Sequence, residues 1–284
     1  MNHSIRFSRR ITRHFGSVAA ILAGWLALSA GAPADTLRIN GTGSALGGIG
    51  AVAEAYAKTY PDAKVAAIAP SMGSGGAIKA LLAGVLDVAV SSRPLNDGER
   101  GQGATETVYA RTPFVIAVRD DNKTKGLAQA ELAAYYSGRV TAWPDGGALR
   151  VILRPLSDSA SAALRALSPE MAQAVAAAHE RKGMLLALTD QDSATAIEKT
   201  PGALGTSSLA LIVSEKRTLR PLALDGVEPS LKALEDGRYP HAMTFTLVLP
   251  AQPSAEARRF ADFLHSPAGQ AVLRNTGHLA MGKR

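Results

Sequence analysis

Cysteine is absent from the 284 residues. That excludes disulfides, thiolate metal sites and cysteine nucleophiles, so the fold must be held by its core alone. Aromatic residues are scarce at 5%, and no stripe of Lys and Arg is interleaved with them, which removes the usual footprint of nucleic-acid binding. Beyond the first 34 positions no run reaches about 18 apolar residues, so no internal membrane span is expected. There is no G-x-S-x-G elbow, no H-E-x-x-H pair and no G-x-x-x-x-G-K-[ST] loop. Gly41, Gly43 and Gly47 meet a dinucleotide fingerprint only out of register, with no acid at a strand end about 20 residues on. His179, His241, His265 and His278 stand in no motif with a nearby Ser or acid and read as surface or cap residues. A nucleotide enzyme, a metalloenzyme and a triad hydrolase all lose support. No cofactor and no metal are expected.

The N-terminus has its own character. Arg6, Arg9, Arg10 and Arg13 precede an apolar stretch from Phe15 to Ala30, followed by Ala32-Pro33-Ala34. A basic region, a short apolar region and an A-x-A site make a secretory leader over residues 1–34, with the working chain starting at Asp35 in the periplasm. Ser8-Arg9-Arg10 carries the arginine pair of a twin-arginine signal, but Ile11 and Thr12 follow where apolar aromatic or Leu residues are usual, so the export route stays open. Removing four Arg and no acid takes the formal balance from +7 to +3. The working protein is far less basic than the whole chain.

Strands and helices alternate from there on. Thr36 to Ile39 alternates as a strand, and Ile49, Val52, Ala53 and Tyr56 fall on one helical face before Tyr60-Pro61-Asp62. A second strand at Val65 to Ile68 leads to a helix with Ile78, Leu81, Leu82 and Val85, then to a strand at Val88-Ala89-Val90. Phe114 to Val118 is a further apolar strand, and a second α/β unit follows, with a strand at Arg150 to Leu153. Thr244 to Leu249 reads as a strand returning to the first unit, and the last helix carries Phe260, Phe263, Leu264 and Val272. This order predicts parallel α/β sheets whose ligand sits beyond the C-terminal strand ends.

Three loops rich in Gly and Ser lie at those ends, each opening a helix: Gly41-Thr42-Gly43-Ser44-Ala45, Ser71 to Gly76, and Arg154-Pro155-Leu156-Ser157-Asp158-Ser159-Ala160-Ser161. Taken singly, Ser and Thr are good caps and Gly a good turn residue. Together they offer hydroxyl and N–H donors, helix dipoles and one guanidinium, which suits a small oxyanion.

The order of motifs resembles the phosphate-binding proteins of ABC-type phosphate importers, within the type II periplasmic binding proteins. The resemblance spans nearly the whole working chain. It includes Asp87 to Arg93, Tyr136 to Trp143, Thr200 to Gly205, Gly237 to Pro240 and Phe263 to Gln270. It implies a two-lobed α/β fold, each lobe a mainly parallel sheet flanked by helices, joined by a two-stranded hinge. Lobe 1 would comprise residues 35–118 and 223–284, and lobe 2 residues 119–222. It further implies a monomer that captures phosphate or a related oxyanion and delivers it to a membrane permease, without a catalytic step. By motif, ligand contacts map to Ser44, Ala45 and Leu46, to Ser74 and Gly75, and to Arg154, Ser159, Ala160 and Ser161. The strand end at Ser92 and Arg93 joins them. Two departures stand out: Ala45 replaces a frequent Thr, and Ser92 replaces a frequent Asp. With no carboxylate there to accept the proton of phosphate, Asp158 or a main-chain carbonyl is expected to take that part. The same fold tuned to sulfate, molybdate, tungstate or a small carboxylate is the nearest alternative, and a sensory module without transport is another.

Overall fold

Short apolar strands alternate with helices through the computed structural model, which describes residues 36–282. The expected leader and its cleavage after Ala34 lie outside the described residues. The chain runs β1 (Leu37–Gly41), α1 (Gly43–Thr59), β2 (Val65–Ala67), α2 (Gly73–Leu82), β3 (Val88–Ser91), α3 (Asp97–Gly101) and the long β4 (Thr105–Arg119). Next come β5 (Gly126–Leu127), α4 (Gln129–Ser137), β6 (Arg150–Leu153), α5 (Ser159–Arg165), α6 (Pro169–Glu180), β7 (Leu185–Leu186), α7 (Asp190–Lys199) and β8 (Ala203–Ser208). It closes with α8 (Leu209–Ser214), β9 (Leu219–Pro221), β10 (Ala223–Leu224), α9 (Leu231–Glu235), β11 (Ala242–Leu249), α10 (Ala255–His265), α11 (Pro267–Asn275) and β12 (Leu279–Ala280).

The main sheet has the order β2-β1-β3-β11-β4-β8-β6-β7. Both flanks are parallel as expected: β1 pairs with β2 and β3, and β6 pairs with β7 and β8. The centre is antiparallel, because β11 returns between β3 and β4, and β4 then pairs with β8. Sequence periodicity marks strand and helix but not the direction of a strand that returns from far along the chain.

β4 is longer than the expected Phe114 to Val118 and changes partner within its length. Residues up to Pro113 pair with β11, and Phe114 to Val118 pair with β8. Proline has no N–H to give to a ladder, so a strand carrying one shifts its pairing there. From Phe114 onward the strand is buried on both faces, with Phe114, Ile116 and Val118 in one core and Val115 and Ala117 in another. That explains its unbroken apolar run. The expected boundary after Val118 falls inside this strand, one residue before its end.

Two helical readings need correction. Val85 was expected on the buried stripe of α2 but lies past its end and is exposed, because Gly84 adopts φ +71° and terminates the helix. The last helix is two helices. Ser266 caps the second through Gly269 N–H at 3.2 Å, and Pro267, which cannot continue α10, starts α11. Around them, Tyr56 of α1 packs edge-on against Phe260 and Phe263 of α10. Its hydroxyl donates to Glu256 at 2.6 Å and accepts from Arg259 at 2.8 Å.

His278 is fully buried beside Phe245, with Nδ1 3.1 Å from Thr276 Oγ1. Burial disfavours the imidazolium and lowers its pKa to about 4, against a weaker upward pull from the Thr276 and Leu273 backbone. Unfolded chains bind this proton near the ordinary value of about 6.5, so the contribution is complete above that pH and fades as pH falls toward 4. Urea unfolding should show a loss on the order of 3 kcal/mol across that window from this group. An NMR titration placing His278 protonation near its ordinary value would overturn the assignment.

Candidate functional site

The second and third Gly/Ser loops meet at one cavity of about 440 Å³, lined by Ser71 to Gly76, Arg93, Arg154, Ser159, Asp158 and Asp190 among others, and the first loop joins it through Thr42, bonded to Ser92 and Asp190. Each loop follows a strand end for a local reason. Asn40 at the end of β1 donates from Nδ2 to Ile68 O and Pro70 O, and its Oδ1 accepts from Met72 N–H at 3.0 Å. This buried amide joins the β1–α1 turn to the β2–α2 turn. Ser71 Oγ adds a donor bond to Gly41 O at 2.7 Å.

A chain of hydroxyls crosses the site. Ser74 and Ser92 Oγ atoms lie 3.2 Å apart, Ser92 and Ser159 lie 2.6 Å apart, and Ser92 Oγ donates to Thr42 Oγ1 at 3.3 Å. Ser92 N–H donates to Ser74 Oγ at 3.0 Å. Residues from four separate segments thus share one polar network, including Ser74, Ser92 and Ser159 from the sequence reading.

Arg154, at 4% exposure, directly follows β6 and lines the same cavity as Ser74 and Ser159. Its Nη2 donates to Asp158 at 2.7 Å and lies 3.5 Å from Asp190, and Nη1 donates to Ala187 O at 3.2 Å. Its Nε finds no hydrogen-bond partner among the described residues. Asp158 caps α5 by accepting from Ala160 N–H at 2.9 Å, so both its oxygens are engaged. Burial pushes its pKa up, with the Asp190 charge adding to that and Arg154 and the cap opposing it.

The other expected residues are placed as follows. Ser44 is buried in the first turn of α1 and gives its N–H to Asp190, while its hydroxyl has no partner among the described residues. Ala45 is fully buried and its N–H bonds Thr42 O at 3.1 Å. Leu46 lines a neighbouring cavity with Leu188, Thr189 and Gln191. Gly75 lines the main cavity under Arg93, whose guanidinium is held by a two-pronged pair with Glu99 at 2.7 and 2.8 Å. Ser161 Oγ donates to Arg154 O at 3.0 Å, which orients the end of β6.

Sequence reasoning missed Asp190, Thr42 and Asn40. Asp190 follows the cap residue Thr189, whose hydroxyl accepts from Asp192 N–H while Asp192 accepts from Thr189 N–H. That box is legible as a helix start. Its reach to Ser44 and Thr42, 146 and 148 residues away, is not. Gly43 permits the approach: a Cβ there would lie 2.1 Å from Gln191 Oε1 and 2.9 Å from Asp190 Cβ.

The model for a PBP superfamily domain matches residues 28–268. The chain belongs to that superfamily. This bears out the resemblance read from the sequence, and the relatives agree with it. The chain is 24% identical over 241 residues to the phosphate-binding protein PstS of Bacillus subtilis, covering 81% of this chain and 75% of that one. Its fold is similar to a Clostridium perfringens substrate-binding protein solved with bound phosphate, with TM-score 0.74, 19% identity, and 87% and 100% of the two chains covered. It is also similar to the periplasmic molybdate-binding protein of Azotobacter vinelandii, with TM-score 0.60, 14% identity, and 86% and 98% covered. Among the described residues, no helix is long and apolar enough to cross a membrane, and no group of three or more His, Cys, Asp or Glu is placed to hold a metal ion.

Removing Arg154 would leave Asp158 and Asp190 buried without their shared cation. Arg154→Met should therefore cost on the order of 3–5 kcal/mol of stability near neutral pH. The loss should shrink in acid as Asp158, whose pKa burial raises, takes up a proton, and urea midpoints at pH 7.5 and 4.5 measure it. Equal losses at both pH values would contradict this charge accounting.

Proposed function

We propose that this cavity binds an inorganic oxyanion, phosphate foremost, for delivery to the membrane permease of an ABC importer. The observation that carries the reading is Arg154: a guanidinium at 4% exposure, its Nε buried without a partner among the described residues, lining the same cavity as Ser74 and Ser159. A buried Arg gives two-pronged, strongly directional hydrogen bonds to a tetrahedral anion, and Ser hydroxyls beside the α2 N-terminus supply neutral donors. The similarity to a phosphate-binding protein of Bacillus subtilis and to a Clostridium perfringens protein solved with bound phosphate supports the same ligand.

In this reading the chain works as two lobes, residues 35–118 with 223–284 and residues 119–222, closing on the anion without chemical transformation. On those bounds the two crossings are at Val118–Arg119 in β4 and at Leu222 just after β9, where β4 and β9 pair antiparallel. Closure removes water and strengthens each polar contact. The protein acts as a monomer in the periplasm after cleavage behind Ala34.

A second reading keeps the fold and changes the anion. Ser92, with its uncharged hydroxyl at the centre of the network, and the fold shared with a molybdate-binding protein favour including sulfate, molybdate and tungstate in any test.

Thermal unfolding with each anion in turn should single out phosphate, which at 100 times its dissociation constant adds about 2.7 kcal/mol. Calorimetry on Arg154→Ala should show binding weakened by at least about 2 kcal/mol. Unchanged affinity in that variant would remove Arg154 from the site, and a shift by molybdate alone would replace the ligand.

A further inference from the structure

We propose that a second cavity, walled by the end of α4 and by strands β6 and β7, binds a small organic anion: one carboxylate carried on an apolar body. It shares no lining residue with the cavity around Arg154, so it stands apart from the oxyanion reading.

This cavity has a volume of about 480 Å³, within the range of small-molecule sites. Tyr135, Val140, Leu149, Val151, Met184 and Leu185 give it an apolar wall. Val140 and Leu185 of that wall are exposed. The same lining carries two guanidiniums, Arg150 and Arg181, and no Asp or Glu.

Arg181 is the group in need of a partner. It directly follows α6, and its half-buried side chain lies against Gly138, the left-handed residue that ends α4. Glycine permits that approach, since a Cβ there would stand 2.1 Å from Arg181 Nη1. The helix end gives the cation a favourable field but accepts none of its side-chain N–H groups. Tyr135 O takes Gly138 N–H instead, and Ala134 O takes Val140 N–H and Ser137 Oγ. Among the described residues, Nη1 is buried with no hydrogen-bond partner, and Nη2 reaches only the Met184 thioether at 3.4 Å. Sulfur is a weak acceptor. Arg150 gives Nη1 to Pro201 O at 2.7 Å, and neither arginine forms an ion pair among the described residues. A guanidinium drawn partly out of water with no oxygen acceptor of its own is an unmet demand for an anion. A bare inorganic anion would meet the charge and leave the apolar wall wet. A carboxylate with a hydrocarbon body takes the guanidinium fork at one end and covers the wall with the other.

Two methionines report on the two cavities separately: Met184 lines this one, and Met72 lines the one around Arg154. Hydrocinnamate, titrated into protein with isotope-labelled methionine methyls at neutral pH, should move the Met184 signal to saturation and leave Met72 in place. The dissociation constant should fall below about 1 mM. Hydrocinnamyl alcohol, which lacks the charge, and acetate, which lacks the apolar body, should each bind at least about tenfold more weakly. Arg181→Gln, shown to be folded by an unchanged Met72 signal, should weaken hydrocinnamate at least about tenfold. On the native protein, no saturable shift of Met184, or a shift confined to Met72, would overturn the proposal even if the variant failed to fold. So would binding of the alcohol or of acetate as tight as hydrocinnamate, or undiminished binding in folded Arg181→Gln. None of these outcomes bears on phosphate at Arg154.

Discussion

The burial of Arg154 is the constraint on which the site depends. A guanidinium cannot shed its charge, so a position at the end of β6, cut off from water, needs anions on the surrounding elements. Asp158 answers from the start of α5 and Asp190 from the start of α7. Asp190 also holds the first turn of α1, so one cation fixes the relative positions of elements far apart in sequence. Two acids for one base leaves the arrangement electrostatically unfinished.

The serine-rich loops work at a second level. Their hydroxyls carry no charge, and none would bind much alone in water, where hydroxyl bonds are exchanged at little gain. Their value comes from where strands and buried amides put them. Asn40 spans two turns, Ser161 ties the Arg154 backbone, and Pro113 lets β4 serve two sets of partners.

Much of this was legible in the sequence. The alternation of Val88-Ala89-Val90 and the helical spacing of Ile49, Val52, Ala53 and Tyr56 gave strand and helix correctly, because period is a local property. The Gly/Ser loops and Arg154 were recognisable as donors for the same reason: residue type alone states what they can offer. The antiparallel centre was not legible, since β11 reaches its place from more than a hundred residues away. Nor was Asp190, whose carboxylate is an ordinary first-turn acid until tertiary contact turns it toward Ser44. The break at Ser266-Pro267 was readable in principle, but the apolar stripe continuing through Val272 masked it.

The run of hydroxyls from Ser74 through Ser92 to Ser159 and Thr42 has a further consequence. A hydroxyl is donor and acceptor at once, so reversing one O–H in a linked series obliges its neighbours to reverse as well. The series therefore has polarity, and that polarity is pinned at one end, where Thr42 accepts from Ser92 and donates to the Asp190 carboxylate. Its members form one energetic unit: replacing two of them will cost less than the separate losses combined, because the first replacement has already broken the line.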